Sequence, residues 1–363
     1  MLPSLGAGGS ELVVNFLANR WASKGWVVTV LTLDHAENGS YYDYLDAVEI
    51  TFLALPPEQR GMPSATWHML RRVAALRQRL RDIAPDTVIS FLSRTNIMVL
   101  LASQGLGIPV VVSERNNPDK QPIGAIWSML RSVMYPKAFG LVTMTSGARD
   151  YFPPWQRKRN WIIPNFALLP VDCPDHGGDD DTSCMLVAAG RLVEQKGFDL
   201  LIAAFGRIAG RFPQWTLKIW GEGSERAALE QQCRQLGLQG RVVLPGTSRS
   251  HCGWIAGSDV FILSSRFEGW GIVLLEAMAA GLPVISFDCQ WGPAEMIRHD
   301  IDGMLVPRED VAQLADAMAR MMDDPDLRRR MGNTARHSAD RFRPEPVGKA
   351  WDLVVQEAIA SGS

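Results

Sequence analysis

The chain has 363 residues, 47% of them hydrophobic, with 37 lysines and arginines against 39 aspartates and glutamates. At roughly 150 residues per domain this length suggests two domains, each able to bury its own core, and a net charge of -2 with a pI near 6.3 gives no general pull toward nucleic acid. The apolar runs break well short of the ~18 residues that span a bilayer, no secretory pattern marks the amino terminus, and five scattered cysteines with no Cys-x-x-Cys fit reduced thiols in the cytoplasm.

In chain order, Gly8-Gly9-Ser10-Glu11 opens a helical pattern over 12–22. Its small residues would let helix amides approach a ligand, although Ser10 with the acid after it also reads as an ordinary N-cap. Apolar strand-like runs follow at 27–33, 87–92, 109–113 and 140–145, separated by helical patterns, and this alternation argues for a parallel sheet covered on both faces. The helix predicted over 65–83 carries Met69, Val73, Leu76, Leu80 and Ile83 on one stripe, with Arg72 and Arg79 along one edge and Arg77 and Arg81 along the other. Two readings fit that helix: a core-facing stripe with a solvated basic rim, or a face that snorkels at an anionic bilayer. Trp127, Arg131 and Lys137 form a second basic, aromatic stretch that would add to the latter. Arg115, in Ser113-Glu114-Arg115-Asn116-Asn117-Pro118, falls at a strand end.

Residues 165–183 carry proline, glycine and acids without periodicity and read as a linker. Asp179-Asp180-Asp181 lies in it, away from any strand end, and the six histidines are dispersed, so no metal is expected. The second half repeats the alternation with strands at 185–189, 216–220, 241–244, 260–264 and 283–287. Two Rossmann-like α/β domains are expected, residues 1–164 and 184–341, with a ligand cleft between them and a final helix over 342–363.

The most informative segment follows the strand at 260–264. It reads Phe267-Glu-Gly-Trp-Gly-Ile-Val-Leu-Leu-Glu276, with seven residues between Glu268 and Glu276. Glu268 should sit at the carboxyl end of a buried parallel strand, and the amides of Gly271, Ile272 and Val273 at a helix N-terminus, where backbone donors and helix dipole suit a diphosphate. Two carboxylates beside such a cradle can hold hydroxyls of a sugar and a ribose. Arg191 and Lys196, after the strand at 185–189, offer a fork and a point charge to phosphate oxygens, or else form a solvated basic loop.

The Glu268 to Glu276 segment, together with Gly8-Gly9-Ser10-Glu11, Gly190-Arg191-Leu192, Gln195-Lys196-Gly197, Gly221-Glu222-Gly223 and Gly292-Pro293-Ala294-Glu295, resembles family 4 of the retaining glycosyltransferases. The resemblance spans nearly the whole chain and implies the GT-B fold. Ser90 to Asn96 and Ser113 to Pro118 are similar to bacterial N-acetylgalactosaminyl and exopolysaccharide transferases acting on undecaprenyl-diphosphate-linked glycans. In such enzymes a pair like Arg191 and Lys196 neutralises the leaving diphosphate, and residues like Glu268 and Glu276 hold the transferred sugar and the ribose. The loop at Gly8 and Gly9 closes over the donor, and the final helix returns to the first domain. The resemblance further implies a UDP-sugar as co-substrate, no other cofactor, no metal, and work at the inner face of the cytoplasmic membrane. Relatives often have histidine where Arg115 stands, so Arg115 is either a grip on an acceptor diphosphate, with Arg72, Arg77, Arg79 and Arg81, or a structural residue. Transfer to a soluble acceptor, and a non-catalytic subunit that binds sugar nucleotides, are the competing readings.

A doubly wound domain places its first strand at the sheet centre, directly before the glycine loop. Met1-Leu-Pro-Ser-Leu5 is too short and proline-broken for a strand of the usual five or six residues. The natural protein is therefore expected to begin some ten residues earlier, and the 363-residue form to be unstable or bridged by a rearranged edge.

Overall fold

The computed structural model describes every residue except 7, 55–63, 168–183, 249–252 and 363, and omits the side chains of 38 and 64–66. The acidic run at 179–181, Cys173, Cys252 and most of the expected linker lie outside the described residues.

The elements run α1 (Gly9–Ser23), β1 (Val28–Thr32), β2 (Val48–Phe52), α2 (Ser64–Ile83), β3 (Val88–Phe91), α3 (Ser93–Ser103), β4 (Val110–Ser113), α4 (Ala125–Met134), β5 (Gly140–Thr143), α5 (Ser146–Tyr151) and β6 (Asn160–Ile162). There follow β7 (Cys184–Ala189), α6 (Phe198–Ile208), β8 (Trp215–Trp220), α7 (Arg226–Gln235), β9 (Val242–Gly246), β10 (Val260–Leu263), α8 (Ile272–Ala280), β11 (Val284–Asp288), α9 (Pro293–Met296), β12 (Met304–Pro307), α10 (Val311–Asp323), α11 (Pro325–Ala339) and α12 (Pro344–Gly362). They form two compact units, Met1–Asn165 with Glu345–Ser363, and Phe166–Pro344.

In the first unit the parallel strands fall into a pair, β1 and β2, and a ladder in the order β3, β4, β5, β6. Met1 and Leu2 lie between β1 and β3 and bond to both: Leu2 donates to the carbonyl of Leu31, and Phe91 donates to the carbonyl of Met1. The apolar stripe of α2 faces inward, with Leu76 and Leu80 fully buried against Ile97, Leu100 and Val112. Helix α12 is fastened to α1 by Asp352, which accepts from Arg20, Trp21 and Lys24.

The second unit holds six parallel strands in the order β12, β11, β10, β7, β8, β9. Strands β7, β10 and β11 are almost wholly apolar because helices cover both faces. Local signals set several helix starts. Asp310 caps α10 by accepting from the amides of Ala312 and Gln313, and Asp324 caps α11 ahead of Pro325, whose missing N–H costs nothing at that position.

Candidate active site

In the second unit the first strand, β7, lies between β8 and β10, so the chain winds one way toward β9 and the other way toward β12. Such a switch point opens a crevice at the carboxyl ends of the two strands flanking it. The loop after β7 carries Arg191 and Lys196, and the loop after β10 carries Glu268.

Close backbone approach brings these loops together. Gly197 has φ 61°, and a Cβ there would run into the carbonyl of Ser264, so only glycine fits. The Ser264 hydroxyl donates to the carbonyl of Lys196 (2.9 Å), the Gln195 amide to the carbonyl of Phe267 (3.1 Å), and the Arg266 backbone N–H to the carbonyl of Gln195 (2.8 Å). The Arg266 guanidinium grips both oxygens of Asp199 at 2.8 and 2.7 Å and the carbonyl of Glu194 at 2.7 Å. From a third loop Gly292, at φ 102°, packs against the backbone of Trp270, leaving no room for a side chain. Gly221 and Gly223 do the same against the backbones of Gly190 and Leu192.

Held this way, Lys196 donates to Glu268 Oε1 across 2.7 Å, and Ser265 Oγ donates to the same oxygen at 2.6 Å. The two charged side chains are only 14% and 7% exposed, so their attraction is weakly screened. Beside them Gly271, in the left-handed conformation, caps α8. The amides of Ile272 and Val273 start that helix and have no intrahelical acceptor. Glu276 is buried one turn further on. Arg191 is exposed. Burial pushes the nearby Cys289 thiol up to about 12, with the charge of Glu268 adding to the effect.

The candidates in the first unit are more dispersed. Gly8 caps α1, and Glu11 folds its carboxylate back over Gly8. The capping residue is therefore Gly8, because only there does Glu11 fall at the third helical position from which an acid reaches back. Arg115 is buried between the rings of Phe91 and Trp351, at 5.4 and 5.3 Å, and donates to Ser113 Oγ and Asn165 Oδ1, each at 2.8 Å. Burial pulls its pKa down to about 9. Arg77 caps the end of α3 through the carbonyls of Ala102 and Gln104, Arg79 donates to Thr51 of β2, Arg72 is buried, and Arg81 is exposed. Two arginines of the basic rim of α2, Arg77 and Arg79, are thus spent on neighbouring elements.

Sequence reasoning missed Ser265, Gln195 and the Arg266–Asp199 clasp. The two serines that end the β10 run were the available signal, because a hydroxyl at a strand's carboxyl end faces the crevice. It also missed a buried network in which Glu114 accepts from Ser93 at 2.8 Å and from Tyr135, while Asn96 donates to Tyr135. Burial raises the Glu114 carboxyl above its usual range.

Residues 175–338 match the family described as glycosyl transferases group 1, and residues 8–165 match the glycosyl transferase 4-like domain. A glycosyltransferase of Methanocaldococcus jannaschii is 31% identical over 80% of this chain and 84% of its own length. An α-1,4-N-acetylgalactosaminyltransferase of Campylobacter jejuni, whose name gives it a diphospho-undecaprenol glycan as acceptor, is 25% identical over 98% of this chain and 97% of its own. An exopolysaccharide phosphotransferase of Streptomyces coelicolor is 30% identical over 83% of this chain, which spans 32% of that protein. Among solved structures, the Anabaena protein HepE in complex with UDP superposes with a TM-score of 0.80 over 98% of both chains, at 18% identity.

Proposed function

The chain belongs to the group 1 glycosyl transferases, on the GT-B fold, and from that premise we propose that it moves a hexose or N-acetylhexosamine from a UDP-sugar onto a polyprenyl-diphosphate-linked glycan, with retention at the anomeric carbon and without a metal. The observation that carries this reading is the Lys196–Glu268 pair beside the N-terminus of α8, at the switch point of the second unit's sheet. In the reaction the bond between the anomeric carbon and the diphosphate oxygen breaks. The acceptor hydroxyl forms a new bond to that carbon on the same face, and its proton passes to an oxygen of the leaving phosphate. Lys196 and Arg191, with the amides at Ile272 and Val273, stabilise the charge on the departing diphosphate. Glu268 orients the transferred sugar, and Glu276 holds the ribose. Positioning and fixed charge supply most of the rate.

The lipid-linked acceptor is supported by the Campylobacter relative, matched along nearly its full length. It is also supported by exposed apolar side chains near cations in the first unit. Ile126, Met129 and Val133 of α4 are 70%, 61% and 56% exposed, and Trp67 and Leu70 of α2 are exposed beside Arg71, whose guanidinium lies over the Trp67 ring. These elements, rather than the buried stripe of α2, supply the contact with the inner face of the cytoplasmic membrane. The test is transfer from UDP-sugars to a synthetic polyprenyl-diphosphate glycan and to the same glycan without its lipid diphosphate. Equal rates on the two would overturn the lipid-linked reading, and failure to transfer or hydrolyse any nucleotide sugar would overturn the enzyme.

A further inference from the structure

The loop after β1 leaves the carboxyl end of that strand, the end at which open α/β sheets place their ligands, and the helix beside it holds it in one shape. Asn15 and Asn19 of α1 both donate to the carbonyl of Asp43, at 2.7 and 3.1 Å, and the Leu45 N–H donates to Asn19 Oδ1 at 2.9 Å. Further back the Tyr41 N–H donates to the carbonyl of Leu5 at 2.9 Å. These bonds occupy backbone groups of the loop and leave the side chains of its outer face to solvent.

Exposure alternates along that loop: Tyr41, Asp43 and Leu45 are exposed, whereas Tyr42 and Tyr44 are half-buried. This is the pattern of an extended segment showing one face outward, with neighbours on that face about 7 Å apart. Tyr41 is 68% exposed, and its ring meets Tyr42 edge-to-face with centroids 5.0 Å apart, so a flat aromatic surface stands in water at a fixed angle. On the inner side, burial and the charge of Glu11 in the first turn of α1 push the Tyr44 hydroxyl up to about 12.

Charge narrows what fits such a surface. Residues 34–46 hold four acids, Asp34, Glu37, Asp43 and Asp46, and no lysine or arginine. An anionic membrane, a phosphate or a sugar acid is repelled by that charge. An uncharged pyranose is not: its C–H face is apolar and lies flat on an aromatic ring, and its hydroxyls donate to carboxylates in charge-assisted bonds. Tyrosine suits the task because it offers a large, rigid, amphipathic surface at little cost in side-chain entropy. We propose that residues 41–45 are a docking platform for an uncharged sugar ring of the acceptor glycan, with Tyr41 against its C–H face and Asp43 accepting from its hydroxyls. This rests on the reading of the acceptor as a glycan and assigns that glycan a subsite.

The test reads binding rather than turnover. Calorimetry and saturation-transfer NMR on the full chain use neutral trisaccharides of N-acetylgalactosamine, galactose and glucose, beside trigalacturonic acid and tetralysine. At least one neutral trisaccharide should bind, with Tyr41→Ala weakening it about tenfold, Asp43→Asn about fivefold, and Tyr41→Phe, which keeps the ring, leaving it within about threefold. Both residues are exposed, so the variants keep the Tm of the parent. No binding of any neutral trisaccharide, binding that Tyr41→Ala leaves unchanged, or a preference for trigalacturonic acid or tetralysine overturns the proposal. Glycan binding lost in Tyr41→Ala, from a chain that neither transfers nor hydrolyses a nucleotide sugar, would uphold the platform and remove the enzyme.

Discussion

Lys196 and Glu268, 72 positions apart in the chain, meet as an ion pair with Ser265 bonded to the same carboxylate oxygen. On the proposed reading the Lys196 ammonium, with three N–H donors, serves the carboxylate and a diphosphate oxygen together. Lys196→Ala should leave the fold intact, because Ser265 still satisfies Glu268, while one lost charge-assisted bond costs about 1.5–3 kcal/mol, or roughly 10- to 150-fold in kcat. Glu268→Gln should likewise lower turnover, whereas Glu276→Gln should chiefly weaken nucleotide binding. Steady-state kinetics with titrated UDP-sugar separates the two effects, and unchanged turnover in Lys196→Ala would remove that residue from the mechanism.

Gly197→Ala tests the close approach behind the pair. A left-handed backbone costs an alanine about 1–2 kcal/mol, and its methyl group collides with the carbonyl of Ser264. At 2–4 °C per kcal/mol for a domain of this size, the Tm should fall by at least about 3 °C. Turnover should fall with it, since Lys196 is the neighbouring residue. Calorimetry beside kinetics would show whether both move.

Arg77 and Arg81 lie one turn apart on α2, yet opposite outcomes are expected for them. Arg77→Ala removes two bonds to the end of α3 and should destabilise the protein by about 1–3 kcal/mol with little effect on vesicle binding. Arg71→Glu with Arg81→Glu should leave stability nearly unchanged and weaken salt-sensitive binding to anionic liposomes, each cation contributing about 1 kcal/mol near such a surface. Urea melts and liposome sedimentation provide the comparison.

Burial holds the Met1 amine at about 5, against 8.0 for an ordinary amino terminus. Between those values the unfolded chain binds a proton that the folded chain does not, so this group makes stability rise as the pH increases from 5 to 8. The gain is at most about 4 kcal/mol. Glu114, with its raised carboxyl, acts in the opposite direction, so the clean measurement is a difference. Urea melts at pH 5.5 and 8 should show a steeper rise for the 363-residue chain than for a variant with Gly-Ser-Gly added ahead of Met1, whose amine is moved away from the buried position.

The buried strands were legible because parallel strands covered on both faces leave unbroken apolar runs, as at 185–189 and 260–264. Strands β2, β6 and β12 were not: Val48–Phe52 alternates and is partly exposed, Asn160–Ile162 is three residues long, and Met304–Pro307 lies at the sheet's edge. At the site, the spacing after a strand pointed to Lys196 and Glu268 separately. Their pairing could not be read, because it depends on β7 lying next to β10 in the sheet. The arginines of α2 show the same limit: helical spacing gave their edges, but not that α3 ends where Arg77 reaches it.

Trp351 and Asp352 of α12 lie inside the first unit, the one against Arg115 and Phe91 and the other against Arg20, Trp21 and Lys24. This gives synthesis an order of its own. Residues 166–344 can close their core as soon as they leave the ribosome, whereas the unit translated first must wait for residues 345–362 to emerge. The half made earliest is completed latest. At about 5–20 residues per second its unfinished face stays open for much of the time taken to make the other half.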